Sequence, residues 1–298
     1  MDFQWEVEQD SCSKVQLLIC ITPLLRPFPS RTENSAARRF LFRNRPFTLR
    51  TVSDTLVINE IYLSLQGEST HAGLPCIFIR LTACNLRCSY CDTAYAFDEG
   101  KRMSLGEVLK KVRGLAAPFA PPNSGGENPR LPLVELTGGE PLLQRNCLPL
   151  MKSLCDDGFT VLLETSGAHD ISSVDPRVHR IMDLKCPSSG EQERNLWENL
   201  KHLKLTDEIK FVIGTQEDYT WAKQQIAGHK LDALCPLLFS WVHPLSPEQQ
   251  DKSLKRVPAG QTPISRRELA EKIIADALPV RFQVQMHKVI WPPEKRGV

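Results

Sequence analysis

The sequence predicts an α/β fold, an incomplete, open parallel (β/α) barrel, in a chain of 298 residues. Three observations carry this. Apolar runs of strand length alternate with amphipathic runs of helical length, the pattern of a parallel sheet with crossover helices. Glycine and polar residues gather where strands end, at "QGES", "TGGEP", "ETSG" and "DLKCP", the edge at which such sheets bind ligands. About six or seven strand–helix units are visible, fewer than the eight of a closed barrel.

The elements follow in order. "TLVINEIYLSLQG", from residue 55, reads as a strand running into a glycine turn, and "CIFIRLT" (76–82) as a second strand. "SLGEVLKKVRGL" (104–115) is a helix whose Ser104 and Glu107 have capping-box spacing. "APFAPPNSGGENPR" (117–130) is a Pro/Gly-rich loop. "LVELTGGEP" is a strand ending in glycines, followed by a helix around 142–157. "FTVLLETSG" (159–167) and "RIMDLKCP" (180–187) are strands with polar tips. A helix near 191–204, the strand "EIKFVIG" (208–214), a helix near 217–227 and the strand "PLLFS" (236–240) come next. "SRRELAEKIIADAL" (265–278) is an amphipathic helix, and "VRFQVQMHKVIW" (280–291) a last strand, alternating clearly in its first half.

Residues 1–54 differ from the rest. They are rich in Arg, Ser and Pro after residue 25 and keep no period, so they read as a disordered or mis-assigned extension before a domain at 55–298. An organelle-targeting segment is the alternative, weakened by Glu6, Glu8 and Asp10. The apolar run "VQLLICITPLL" (15–25) contains a proline and is too short to span a bilayer. Net charge is only +2, so no basic field argues for nucleic acid or membrane. Of ten cysteines, seven are scattered and three are clustered. That distribution suits a reducing cytoplasm better than a secreted disulfide scaffold.

The cluster is "CNLRCSYC", with Cys84, Cys88 and Cys91 spaced Cys-x3-Cys-x2-Cys. Structural zinc wants four ligands. No histidine lies between 72 and 168, and the next cysteine is Cys147. Zinc with a distant fourth ligand, or catalytic zinc with three, stays possible. The better fit is a four-iron cluster held by three thiolates, with one iron open to a ligand.

At these residues the chain resembles the radical S-adenosylmethionine (SAM) superfamily, on Cys84, Cys88, Tyr90 and Cys91 with "TGGEP" (137–141) at the next strand end. Within it, "INEIYLSLQGEST", "IFIRLTACNLRCSYCDTAYAF", "LTGGEPLLQ", "LLETSG", "MDLKCPSSGE" and "QVQMHKVIWPPEKRGV" resemble the 7-carboxy-7-deazaguanine synthase family over roughly 55–298. The resemblance implies a radical SAM barrel that binds a 4Fe-4S cluster, SAM and Mg²⁺. It implies a carbon–nitrogen lyase of queuosine and 7-deazapurine biosynthesis, converting 6-carboxy-5,6,7,8-tetrahydropterin to 7-carboxy-7-deazaguanine and ammonia. It also implies a homodimer and an electron donor such as flavodoxin. No side chain need be catalytic in its own right, since SAM supplies the radical.

Carried over residue by residue, Cys84, Cys88 and Cys91 hold the cluster. Gly138, Gly139 and Glu140 hold the amino end of SAM, with Tyr90, Ser166, Asp183 and Lys185 as further SAM contacts. Leu65, Gln66 and Gly67 line the pterin, with Glu68 beside its N–H donors. Arg80 pairs with the substrate carboxylate, as a planar guanidinium can do through two bonds. Thr93 offers its hydroxyl to Mg²⁺, Thr137 touches substrate, and His287 and the terminal carboxylate of Val298 close over the pterin. Some residues are informative without the resemblance. Arg80 lies inside an apolar strand and needs a partner. Asp183 and Lys185 share one strand face and could simply pair. Cys76 and Cys186 read as small buried side chains, and Trp241 and Trp291 as packing residues. Trp241 departs from the family pattern, which commonly has proline there. Two other functions stay open: an activase that makes a glycyl radical on a partner protein, and a non-enzymatic metal-binding scaffold.

Overall fold

The computed structural model describes residues 54–119 and 131–298. The extension before the domain and most of the Pro/Gly-rich loop lie outside the described residues. Among the described residues, nine strands form one sheet: β1 (Thr55–Leu65), β2 (Pro75–Leu81), β3 (Lys101–Ser104), β4 (Leu133–Gly138), β5 (Val161–Thr165), β6 (His179–Asp183), β7 (Glu208–Ile213), β8 (Leu237–Trp241) and β9 (Arg281–Gln283). Their order is β3-β1-β2-β4-β5-β6-β7-β8-β9. From β2 to β9 every neighbour is parallel. β1 pairs antiparallel with both β2 and β3, so the parallel barrel carries an antiparallel edge that the sequence did not suggest. The sheet stays open.

Strand alternation separates two faces. Ile77, Ile79 and Leu81 of β2, with Val134 and Leu136 of β4, pack into the large core. That core is shared with Val108 and Val112 of α1 (Leu105–Ala116) and with Leu150, Met151 and Leu154 of α2 (Cys147–Asp156). Tyr219 and Ile226 of α3 (Gln216–His229) and Leu269 and Ile273 of α4 (Arg266–Ala275) join it. The opposite face holds a small apolar plug of Cys76, Phe78, Leu133, Leu162, Ile181 and Leu238. Polar side chains occupy the same face nearer the strand ends.

In β1 the alternation slips once. Leu56 and Ile58 face the large core, and so does Ile61. The register shifts between Ile58 and Glu60, so that Glu60 lies opposite Arg80. A bulge re-aims the side chains after it; here it turns Glu60 and Tyr62 inward, beside Arg80.

Two expected elements are corrected. The helix near 191–204 is a series of 3-10 turns, at Pro187–Ser189, Gln192–Arg194 and Trp197–His202. Its partly buried apolar residues, Trp197, Leu200 and Leu203, recur every third position, which matches three residues per turn. The last strand ends at Gln283, and His287–Ile290 is one helical turn, α5. There the chain leaves the sheet, and the Met286 amide donates to Gly67 O at 3.1 Å. The capping box of Ser104 and Glu107 is present. Among the described residues, no helix is long and apolar enough to cross a membrane.

Candidate active site

The C-terminal strand edge opens into a cavity of about 690 Å³. Every candidate cluster, SAM, Mg²⁺ or substrate residue named from the sequence lines it except Glu140.

The cysteine loop leaves β2 through Ala83, whose φ of +81° is unusual for a residue with a Cβ. Behind the thiols the loop is tied down. Arg87 donates from Nη1 to Cys84 O and Leu86 O, at 2.9 and 2.7 Å, with its guanidinium 4.0 Å above the Phe97 ring. The Arg87 amide donates to Glu191 at 2.7 Å, and Ser89 donates through N and Oγ to Ser189 O and Ser188 O. Cys84, Cys88 and Cys91 are all unpaired thiols. Burial pushes all three up, Cys88 to about 12. Ligation by a metal centre therefore releases thiol protons. Among the described residues, no three His, Cys, Asp or Glu side chains converge closely enough to hold one metal ion.

The "GGE" turn holds the loop from the neighbouring strand. Gly139 N donates to Leu81 O and Glu140 N to Ala83 O, at 3.1 and 2.8 Å. A Cβ on Gly138 would sit 2.2 Å from Leu81 O, and one on Gly139 would sit 2.0 Å from Ala83 O. These glycines let two backbones touch. Glu140 is completely buried. Its carboxylate accepts from the amides of Leu142 and Ser166, at 3.0 and 2.8 Å, and from the hydroxyls of Thr165 and Ser166. It is therefore committed inside the fold, where it aims Ser166.

Lys185 donates to Asp183 at 2.6 Å, the pairing their spacing allowed. Burial works against the Lys185 charge, and Asp183 outweighs it and raises the pKa. Asp183 Oδ1 and Tyr90 Oη are buried without a hydrogen-bond partner. Both residues line the cavity, and buried polar atoms of this kind are normally satisfied. Three unpaired thiols and two unsatisfied oxygens around one cavity fit a cluster with a polar ligand beside it.

The other wall is a charge network. Arg80 donates to Glu60 at 2.7 Å and to Tyr62 at 3.0 Å, and Tyr95 donates to Glu60 at 3.1 Å. Gln66 is fixed at both ends, with Nε2 donating to Glu135 at 2.6 Å and Oε1 accepting from the Glu68 amide at 2.5 Å. Glu68 also accepts from Ser240 at 2.6 Å. Lys210 binds Glu164 and lies 3.7 Å from Glu68, while Thr137 donates to Glu164 at 2.8 Å. Burial and the Glu164 charge push the Glu135 carboxyl up. Burial would raise Glu164 too, but Lys210 outweighs it and holds that carboxyl below the usual range.

Sequence reasoning missed Glu60, Tyr62, Glu135, Glu164, Lys210, Asp92 and Lys288. Glu135, Glu164 and Lys210 carry the same signal that picked out Arg80, a charge inside an apolar strand. His287 packs on the Gln66–Glu68 turn: a Cβ on Gly67 would meet its Nδ1 at 3.0 Å. Burial lowers its pKa. Thr93 Oγ1 lies 3.7 Å from Cys91 Sγ. Trp241 packs against the large core and donates to Ile264 O at 2.9 Å; Cys76 and Cys186 are fully buried.

Comparison with known proteins agrees with this geometry. Residues 78–187 match the radical SAM superfamily model. The chain is 42% identical to a 7-carboxy-7-deazaguanine synthase of Chlorobaculum tepidum over 247 residues, 82% of this chain and 97% of that one. It is 43% identical to one of Koribacter versatilis over 243 residues, 81% and 99% of the two chains. The fold resembles the crystal structure of QueE from Escherichia coli, with a TM-score of 0.56 at 23% identity, over 78% of this chain and 95% of that one.

Proposed function

We infer the function from one premise: the chain belongs to the 7-carboxy-7-deazaguanine synthase family of the radical SAM superfamily. It is a radical SAM lyase with a 4Fe-4S cluster, converting 6-carboxy-5,6,7,8-tetrahydropterin to 7-carboxy-7-deazaguanine and ammonia. The observation that supports this best is a single cavity lined both by three free thiols and by Gln66, Glu68, Arg80 and Thr137.

When bound, the cluster and SAM would supply the radical, hydrogen-abstracting chemistry of the reaction. The chain's own part is positioning. Cys84, Cys88 and Cys91 are the cluster ligands. Asp183, whose free oxygen faces no protein donor, and Lys185 contact SAM, with Tyr90, Ser166 and the Gly138–Gly139 backbone. Glu140 acts through Ser166. Arg80, steadied by Glu60, takes the substrate carboxylate. The Thr93 hydroxyl is an oxygen ligand for Mg²⁺, a hard cation that keeps water and substrate oxygens as its other ligands. Glu68 accepts from the pterin N–H edge, and Lys210 and Ser240 keep that carboxylate aimed. Leu65, Gly67, Thr137, His287 and Val298 complete the pterin's enclosure, over an apolar floor that includes Phe78 and Ile181.

The reading extends to a homodimer supplied with electrons by a donor such as flavodoxin. A cytoplasmic setting is supported by eight free cysteines among the described residues.

The test is an anaerobic assay of reconstituted protein with the pterin, SAM, Mg²⁺ and a strong reductant, read by mass spectrometry. The expected product is lighter by one ammonia, with SAM not consumed stoichiometrically. Accumulation of 5′-deoxyadenosine with the pterin untouched would refute the substrate and favour a protein-activating role.

A further inference from the structure

Next to the cysteines is a buried ion pair that the reaction scheme does not use. Lys288 Nζ lies 2.5 Å from Asp92 Oδ2, and the lysine side chain is only 3% exposed. Asp92 stands between Cys91, a cluster ligand, and Thr93. Lys288 is on α5, whose entry is pinned by Met286 N to Gly67 O, on the turn that carries Gln66 and Glu68. Further along, Arg296 reaches the same loop, 2.7 Å from Glu99 and 3.7 Å from the Tyr95 ring centroid. One segment thus touches the substrate-side turn and the arm of the loop that follows the cysteines.

A buried pair contributes little net stability compared with apolar side chains of the same volume, and its best-attested use is to fix one register. Apolar side chains at 92 and 288 would hold the segment as firmly but would not select one position.

We propose that Lys288 is a positioning residue: through Asp92 it fixes the Asp92–Thr93 arm against the substrate-side turn, and so places the Thr93 hydroxyl for the cation shared with substrate. This rests on the reading of Thr93 as the Mg²⁺ ligand. Lys288 touches neither substrate nor cofactor in this role.

The test compares wild type, Lys288→Met, Lys288→Arg and the double variant Lys288→Met/Asp92→Asn, all as reconstituted holoprotein. The double variant removes the stranded carboxylate and keeps the experiment decisive if Lys288→Met folds poorly. Two readouts are taken: the Mg²⁺ concentration for half-maximal turnover, and amide hydrogen exchange of 91–97 without substrate. The expected result for Lys288→Met and for the double variant is a rise of at least tenfold in half-saturating Mg²⁺, with iron content and SAM affinity unchanged. Exchange across 91–97 quickens at least tenfold while β4 keeps its rate, and Lys288→Arg restores most of both. An unchanged Mg²⁺ requirement with a lowered melting temperature would overturn the proposal. So would a double variant that behaves as wild type. If wild type itself leaves the pterin untouched, the functional reading fails, and exchange at 91–97 still decides whether the pair fixes the arm.

Discussion

Replacing Lys210 with methionine should unbalance the charge network of the cavity wall. Its ammonium binds Glu164 and lies 3.7 Å from Glu68, and the side chain is 6% exposed. At this spacing, with an effective dielectric of 20, each attraction is worth about 4 kcal/mol. Desolvation of the three ions offsets much of that in the intact network. Once the cation alone is removed, two carboxylates are left without it, which typically costs about 3–5 kcal/mol. In a domain of this size each kcal/mol moves the melting temperature by about 2–4 °C, so the drop should be on the order of 10 °C. Anaerobic calorimetry on the reconstituted protein at pH 7 reads it directly. Lys210→Met/Glu164→Gln should recover about half of the loss. The pH dependence has a definite sign. Glu164 is held down in the fold, so its contribution is present above the ordinary carboxylate pKa and is lost as pH falls through the lowered one. The difference between wild type and Lys210→Met should therefore shrink in acid. A loss below about 1 kcal/mol, or a double variant no better than the single one, would refute the reasoning, because the measured cost of breaking a buried pair comes from the stranded partner.

Other outcomes follow from the same geometry. Gly139→Ala should lower iron content after reconstitution, because its Cβ would sit 2.0 Å from Ala83 O; full iron loading would refute the close fit. Cys84→Ser, Cys88→Ser or Cys91→Ser should each abolish SAM cleavage and the cluster's visible absorption, whereas Cys155→Ser should leave both intact. Arg80→Lys should raise KM for the pterin at least tenfold with a smaller change in kcat, since an ammonium cannot replace the fork; an effect on kcat alone would tell against carboxylate binding. Without its cluster the protein should lose stability above about pH 9: burial raises Cys88, so its contribution is present below the unfolded thiol pKa and fades as pH rises toward about 12. Cys88→Ala should flatten that slope in an alkaline melting series.

Local signals carried most of the barrel. The strands stood out because β4, β5 and β7 are short apolar runs ending in polar turns, and α1, α3 and α4 begin at capping boxes. The antiparallel edge was not legible, because the partner of a strand is a tertiary fact. The bulge was written faintly: apolar residues at 56 and 58 and then at 61 and 63 change parity, as they must if one residue is left unpaired. The turns at 187–202 were misread because spacing by three and by three-to-four look alike in a short run. Cys84, Cys88 and Cys91 were legible because they fall within eight consecutive positions. Lys210, Glu164 and Glu135 come from three strands, and only the sheet brings them together. Glu140 was read as a ligand contact from its motif, yet its oxygens are spent on Leu142, Thr165 and Ser166.

The contact of the "GGE" turn with the cysteine loop bears on protein engineering. The loop is not a detachable cassette. Its entry at Ala83 rests on a strand end with no room for a side chain, and its far side is hung from Ser188, Ser189 and Glu191. A transplant of residues 83–97 into another barrel would need those two glycines on the adjacent strand and the three anchors two strands further on. Without them a recipient could carry the same cysteine spacing and still present the thiols in the wrong directions.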